Sequence, residues 1–273
     1  MKIIIAGQRL LCGPCAAIAL FLMTMTGQLL ADTGVNAVAS GLDIAMEADR
    51  RDKGFGDTTA DLTMLLFTRE GEQVRRTMCQ QVLEVADDGD KSILVFDRPR
   101  DLKGTAILTF TRKVGTDDQW LYLPALDRVK RISSSDKSGP FMGSEFAYED
   151  LASHEIEKFN YRYLGDEDLG LPAFKVERIP VDPKSGYSRQ VAWYDKEHYR
   201  VLRIDYYNRK DTLLKTMELT DYQLYLEQYW RPDILLMTNH QTGKRTAMQF
   251  SNFRFRTGLG ERDFSREALA RSR

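Results

Sequence analysis

Residues 201–224 read VLRIDYYNRKDTLLKTMELTDYQL. Leu202, Ile204 and Tyr206 alternate with charged residues, and this period of two is typical of a β-strand with one buried face. The polar sequence NRKD follows as a turn, and a second β-rich stretch comes directly after it. Because so short a turn joins antiparallel strands, this stretch predicts a β-hairpin.

The same pattern recurs over most of the chain. Strands are predicted at residues 57–69, 73–86, 90–97, 104–113, 119–123, 128–133, 155–164, 173–180, 187–195, 200–209, 212–224, 234–239 and 245–256. A sheet with this many strands closes as a barrel, stacks as a sandwich, or curls around a helix. A curled sheet has an apolar inner face, and incomplete filling of that face leaves a ligand cavity.

Helices are predicted only near the two ends of the part that follows the N-terminal segment. Apolar residues at Val35, Val38, Leu42 and Ala45 have helical spacing, which predicts a helix over residues 35–51 that packs on the concave face of the sheet. Ser265 is a good cap for a short helix ending near Arg271. The fold class is therefore mostly β (α+β).

The N-terminal segment predicts export. Lys2 and Arg9 precede an apolar run, and the segment closes on Ala31, which is the order of a signal peptide. A transmembrane anchor is the alternative, but Gly13 and Pro14 interrupt a run that would need about 20 apolar residues. We therefore expect residues 1–31 to be a cleavable signal peptide, residues 32–273 to form one domain, and the mature protein to lie in the periplasm.

Composition argues against nucleic acid as a partner. The 273-residue chain has a formal net charge of −1, and its basic stretches have acidic neighbours. Cys79 is the only cysteine that follows the predicted signal peptide, so it has no partner for an internal disulfide. We expect its thiol to be buried, since it lies in a strand-like run.

No catalytic motif stands out. His154, His198 and His240 are far apart in sequence and lack the spacing of a metal site. Ser144 lies in GSE rather than in a nucleophile elbow, and no glycine-rich phosphate loop is present. We therefore expect neither an enzyme nor a bound metal or cofactor.

One insert, residues 133–151, differs from the strands around it. It begins with polar residues, but Phe141, Met142, Phe146 and Tyr148 are too apolar for an ordinary exposed loop. Glycines at positions 139 and 143 permit unusual backbone angles. We expect residues 139–151 to be a mobile gate whose four apolar side chains contact a ligand. The alternative is a loop that packs statically over the end of a barrel.

Further residues are candidates for the lining of the cavity. Trp120, Tyr122 and Trp193 lie on predicted strands, and Leu42 and Met46 lie on the predicted first helix. Aromatic strand residues are most often ordinary core, so the alternative for each is packing without ligand contact.

Several longer stretches resemble a known family. They are ADRRDKGFGD at residues 48–57, GTAIL at 104–108, WLYLPALDRVKRI at 120–132, FMGSEFAYEDL at 141–151, WRP at 230–232, MTN at 237–239 and TGKRT at 242–246. In order and spacing they resemble the outer-membrane lipoprotein-sorting (LolA-like) periplasmic proteins, in the branch associated with RND-type exporters.

The resemblance implies a fold and a function. The fold is an incomplete antiparallel β-barrel with helices packed on the concave face as plug or lid, as in LolA and LolB. The function is a carrier whose apolar cavity shelters acyl chains of a lipid or lipoprotein on the way to the outer membrane, with an RND-type inner-membrane transporter as a further partner and a monomeric state. The alternative is an accessory subunit of such an exporter that binds no lipid. Family carriers latch their cavity with an early-strand arginine, but no motif assigns that role to Arg69, Arg75 or Arg76.

Overall fold

A computed structural model describes residues 33–271, with side chains from residue 41 onward except at position 270. The predicted signal peptide and its cleavage after Ala31 lie outside the described residues. Neither described helix is both long enough and apolar enough to cross a membrane.

The strands follow the sequence prediction closely, and all thirteen are confirmed with shifts of a few residues at their ends. They are β1 Asp57–Phe67, β2 Gln73–Leu83, β3 Lys91–Arg98, β4 Ala106–Phe110, β5 Asp118–Leu123, β6 Arg128–Ile132, β7 Phe159–Asp168, β8 Pro172–Pro180, β9 Tyr187–Asp195, β10 Val201–Asn208, β11 Leu213–Tyr225, β12 Tyr229–Asn239 and β13 Arg245–Phe255. The helices are α1 Thr33–Asp52 and α2 Arg266–Arg271, and the Ser265 hydroxyl accepts a hydrogen bond from the Ala268 amide at 3.0 Å.

All thirteen strands form one antiparallel sheet in the order β6-β5-β4-β3-β2-β1-β13-β12-β11-β10-β9-β8-β7. Two meanders are thus joined where the first and last strands pair, at the centre of the sheet. The outer strands β6 and β7 do not pair with each other, so the sheet is curled but not closed into a barrel. This confirms the incomplete barrel and rules out the sandwich and the closed barrel.

The two faces of the sheet bury different cores. The concave face, defined here as the face on which α1 packs, carries the largest cluster, which includes Leu62, Met64 and Phe96. On the convex face, one cluster lies under Phe264 and Leu269 of the α2 region. A second convex cluster is formed by β8 and β9. Many strands are therefore apolar on both sides.

Helix α1 packs on the concave side, as predicted, but with a different face. Ile44 and Ala45 are buried, whereas Leu42 is 36% and Met46 51% exposed. At Gly41 a Cβ would lie 2.7 Å from the Tyr163 amide nitrogen, so only glycine allows α1 to approach β7 this closely. This contact sets the rotation of the helix and turns Leu42 and Met46 toward solvent. Neither residue is among those that line the cavity described below, and ligand contact by them stays a prediction.

The connection between β6 and β7, residues 133–158, joins the two opposite edges of the sheet. It crosses the concave side in three short 3-10 turns, Phe141–Gly143, Tyr148–Leu151 and Ile156–Lys158. Phe141 and Phe146 in this connection belong to the main core. The topology thus explains why an apolar insert interrupts the series of strands.

Candidate functional site

A cavity of about 540 Å³ lies on the concave face between α1 and the sheet. Ala45 and Ala48 of α1 line one side, and residues 151–155 of the β6–β7 connection line another. This volume is within the usual range of small-molecule sites. The small alanine side chains explain why the helix does not fill the space beneath it.

Aromatic and aliphatic side chains of β2 and of β9 to β13, together with Phe55 just before β1, form much of the cavity wall. They are Phe55, Val82, Tyr194, Val201, Ile204, Leu219, Tyr222, Trp230, Leu235, Phe250 and Phe253. At the wall, rings also stack on one another, with 5.7 Å between the centroids of Phe250 and Phe253. Such a wall can bury an alkyl chain, with a gain of about 0.8 kcal/mol per methylene group.

Most charged groups at the cavity are neutralised by a partner. Arg51 pairs with Glu47 at 2.7 Å, and Arg200 pairs with Asp195 at 2.8 Å. Arg231 forms an ion pair with Asp52. These pairs leave little net charge on that part of the wall.

Two carboxylic acids at the cavity differ from these pairs. Glu155 lines the cavity and is 7% exposed. No described residue donates a hydrogen bond to its carboxylate or forms an ion pair with it. Burial, reinforced by the charges of Asp90 and Asp49, raises the pKa of Glu155 to about 7. Burial also raises the pKa of Asp90 to about 6, with the charges of Glu84 and Asp52 acting in the same direction. Both groups therefore titrate near neutral pH rather than near pH 4.

Arg178 of β8 is a buried basic residue at the same cavity. It is 3% exposed and lines the cavity, where its Nη2 donates to Gln190 Oε1 at 2.7 Å and its Nη1 to Tyr194 Oη at 3.5 Å. His154 also lines the cavity and shares a 3.3 Å hydrogen bond with Tyr161 Oη. Desolvation and the Arg178 charge lower the pKa of His154, so its ring is neutral at physiological pH.

Three predicted cavity residues lie on the opposite face of the sheet. Trp120 and Tyr122 belong to the convex cluster under α2. Trp193 belongs to the convex cluster of β8 and β9. Their chain neighbours Leu121 and Tyr194 face the concave side instead. The three side chains lie outside the described cavity, because successive residues of a strand face opposite sides of the sheet, and ligand contact by them stays a prediction.

The predicted gate, residues 139–151, is packed into the core, and we call it the plug segment. Phe141 is 0% and Phe146 is 2% exposed, while Met142 and Tyr148 pack against the same cluster. These values correct the expected position at a rim: the segment fills the concave face because it must cross it. Ligand contact by these four residues stays a prediction, and none of them lines the described cavity.

Buried polar contacts fasten the plug segment to the sheet. Lys215 of β11 donates to the Glu145 carbonyl at 2.9 Å and pairs with Asp150 at 2.7 Å, and both side chains are nearly inaccessible. Arg76 of β2 donates to the Met142 carbonyl at 2.6 Å. Because these contacts reach strands in both halves of the sheet, they oppose movement of the segment.

The histidines lie at separate places. His198 packs on Trp230, with ring centroids 4.9 Å apart, and His240 hydrogen-bonds to Thr216 at 2.8 Å. Within residues 33–271, no group of three or more His, Cys, Asp or Glu side chains has the arrangement of a metal site. Cys79 is half-buried rather than buried, because it lies on an outer-facing position of β2 next to solvent.

Sequence reasoning missed Glu155 and Arg178. For Arg178 a signal existed, since Phe174 and Val176 precede it at a spacing of two and lie in the core. An arginine in phase with core residues is unusual in a strand. For Glu155 no pattern was available, because a 3-10 turn rather than a strand follows it.

The fold is similar to that of several proteins of known structure. A LolA-superfamily protein from Nitrosomonas europaea is similar over 84% of this chain and 98% of its own, with a TM-score of 0.68 and 19% identity. An outer membrane lipoprotein-sorting protein domain from Vibrio parahaemolyticus is 52% identical over 85% of this chain and 99% of its own, with a TM-score of 0.84.

A DUF1329 family protein from Desulfovibrio piger ATCC 29098 is 30% identical over 85% of this chain and 99% of its own, with a TM-score of 0.80. A family model described as "Uncharacterized protein" matches residues 88–271. No protein of curated function matches this chain. The chain belongs to the outer membrane lipoprotein-sorting domain (DUF1329) family, which confirms the resemblance seen in the sequence.

Proposed function

We propose that this protein is a periplasmic carrier that binds acyl chains of a lipid or lipoprotein and carries them toward the outer membrane. The observation that carries the proposal is the cavity of about 540 Å³ beneath α1, with its wall of aromatic and aliphatic side chains. The family supports it, because the Vibrio parahaemolyticus relative is described as a lipoprotein-sorting domain.

The physics of burial is sufficient for such a carrier. Each buried methylene contributes about 0.8 kcal/mol, so a chain of a dozen or more carbons is retained without covalent chemistry. Release needs no nucleotide if a receptor binds the empty form more tightly than the loaded form. In this proposal the protein is a binding protein rather than an enzyme, acts as a monomer, and receives or delivers its cargo with an RND-type inner-membrane transporter as partner.

The direct test is native mass spectrometry of the protein purified from the periplasm. A carrier is expected to retain lipid at stoichiometric levels, and the mass of that lipid identifies the cargo. Protein that carries no lipid and binds no fluorescent acyl probe would instead support an accessory subunit of an exporter.

A matched pair of variants tests whether the cavity is the binding site. Leu235 lines the cavity, whereas its neighbour Leu236 on β12 is outside both the cavity and the described core clusters. Leu235→Glu is expected to weaken binding of a fluorescent acyl probe by at least about tenfold, since a charge at the wall opposes an alkyl chain. Leu236→Glu is expected to bind like wild type. Equal effects of the two variants would contradict the assignment of the site.

Export has its own test. N-terminal sequencing of the exported protein is expected to begin near Asp32, following the signal-peptide pattern. An intact Met1 on the exported protein, or an acylated cysteine, would contradict cleavage after Ala31.

A further inference from the structure

The guanidinium of Arg178 is buried without an opposite charge. It is 3% exposed, and no carboxylate among residues 41–269 forms an ion pair with it. Its hydrogen-bonding partners are both neutral, the amide oxygen of Gln190 and the hydroxyl of Tyr194. Burial of an unpaired charge costs several kcal/mol, so a structural role alone would be better served by a neutral side chain.

Much of its donor capacity is unused. A guanidinium has five N–H donors in a planar fork. The contact with Gln190 is short at 2.7 Å, the contact with Tyr194 is at the 3.5 Å limit, and the buried Nε has no partner among the described residues. Because Arg178 lines the cavity, the remaining donors are close to the space a ligand would occupy.

Three acidic groups of the plug segment and of β8 are committed to other partners. Asp150 pairs with Lys215 at 2.7 Å and accepts a hydrogen bond from Tyr187 at 2.8 Å. Glu149 accepts from the Ser185 hydroxyl at 2.8 Å. Glu177 is adjacent to Arg178 in the chain, but it lies on the other face of β8 and pairs with Arg162 at 2.9 Å. None of these carboxylates is available to neutralise Arg178.

The surroundings of Arg178 fit the polar head group of an amphiphile. The Phe159 ring centroid lies 5.4 Å from the guanidinium carbon, and His154 stacks on the same ring with centroids 5.1 Å apart. The apolar wall of the cavity is continuous with these surroundings through Tyr194 and Ile204.

We propose that Arg178 binds the anionic head group of the acyl ligand, a carboxylate or a phosphate monoester, inside the cavity. This inference rests on the proposed carrier function and adds to it the class of cargo: an acyl chain with a free anionic end. The anion accepts hydrogen bonds from the unused Nη donors and supplies the charge that the protein does not.

Single-chain ligands with different head groups test this. Binding of palmitic acid, hexadecanol and lysophosphatidic acid is measured by displacement of a neutral fluorescent acyl probe at pH 8. We expect one anionic ligand to bind at least about tenfold more tightly than the alcohol, as a charge-assisted hydrogen bond implies. A preference for palmitic acid identifies a carboxylate, and a preference for lysophosphatidic acid identifies a phosphate.

Variants test whether Arg178 causes the preference for an anionic ligand over hexadecanol. Arg178→Gln is expected to abolish the preference while leaving hexadecanol binding within about twofold of wild type, and Arg178→Lys is expected to retain part of it. Arg162→Gln is the control, because Arg162 lies outside the cavity lining and is paired with Glu177. The preference is expected to survive in this control.

The carboxyl signal of ¹³C-labelled palmitic acid provides a test on the wild-type protein, even if Arg178→Gln does not fold. Beside Arg178 the pKa of the bound carboxyl should lie below that of a carboxyl in an uncharged apolar site. Equal binding of acid, phosphate and alcohol, a carboxyl pKa as high as that of a carboxyl in an uncharged apolar site, or a preference that persists in Arg178→Gln would overturn the inference. Failure of all ligands, hexadecanol included, would instead contradict the carrier function.

Discussion

Glu155 and Asp90 show how the cavity changes the chemistry of single residues. Both carboxylates line the cavity rather than the outer surface, and other acidic side chains lie close to them. The charged groups around the pair are Asp49 and Asp52 of α1, Glu84, Glu157 and Lys113. The result is a native state that holds protons at a pH where the unfolded chain has lost them.

These raised pKa values make the free energy of unfolding depend on pH. Glu155 has a pKa of about 7 when folded, against 4.5 in the absence of the fold. Between these values the native state binds more protons than the unfolded state, so the free energy of unfolding falls as pH rises through this window. Asp90 acts in the same direction between 3.8 and about 6.

Glu155→Gln is therefore expected to stabilise the protein at pH 8 and to change its stability little at pH 4.5. The gain at pH 8 is roughly 1 to 3 kcal/mol, since a pKa unit corresponds to about 1.4 kcal/mol. Urea unfolding at the two pH values measures it. Glu157→Gln is the control, because Glu157 is exposed and adjacent. A gain of the same size at both pH values would contradict the argument.

Among the elements, the plug segment owes its burial to its position in the topology, between the two edge strands. Its aromatic side chains pack on the sheet and on one another: the Phe141 ring centroid lies 5.9 Å from that of Phe96 on β3 and 5.6 Å from that of Tyr148 in the same segment. A segment held this way contributes to the core in the same manner as a strand.

Phe146→Ala is expected to lower the free energy of unfolding by about 3–5 kcal/mol, as for other fully buried phenylalanines. Leu126→Ala is the control, because Leu126 is 67% exposed in the turn after β5, and a change within about 0.5 kcal/mol is expected there. Chemical denaturation measures both. A loss below about 1 kcal/mol for Phe146→Ala would favour the mobile gate instead.

Helix α1 makes its closest backbone approach to the sheet at Gly41. A side chain at position 41 would meet the backbone of β7 at 2.7 Å, whereas the side chain of Leu42 points to solvent. Gly41→Val is therefore expected to lower the melting temperature by several degrees, and Leu42→Val to leave it nearly unchanged. Thermal unfolding followed by circular dichroism compares the two. Equal melting temperatures would show that α1 does not need this approach to β7.

At the scale of the molecule, the order of the strands sets where the sheet is most stable. Strands β1 and β13 lie at its centre with partners on both sides, whereas β6 and β7 have one strand partner each. Backbone amides in the centre open only with the whole sheet. The first and last strands thus pair in the most protected region, and the long connection between the two edges contains the plug segment.

Hydrogen exchange is expected to follow this order. Amides of β1 and β13 should exchange most slowly and those of β6 fastest, and β7 serves as the internal control because it is also an edge strand but is covered by α1. Mass spectrometry of deuterated peptides compares the exchange rates of the central strands, of β6 and of β7. Protection of β6 equal to that of β1 would contradict an open edge at β6.

Local sequence determined the elements of this protein and its family. Alternation, turn residues and a serine cap predicted thirteen strands and two helices, because the period of two and the capping chemistry act between near neighbours. The stretches at residues 120–132 and 141–151 were specific enough to identify the family, and the apolar insert at 139–151 was recognised as unusual.

Only the tertiary structure decided which faces of these elements meet. Trp120, Tyr122 and Trp193 could not be assigned to a face, because α2 and a second cluster make the convex side apolar as well. Leu42 and Met46 were misplaced because the contact of Gly41 with β7 fixes the rotation of α1. Arg178 and Glu155 acquire their roles from missing partners, and the absence of a partner is a property of the space around a side chain rather than of its neighbours in the chain.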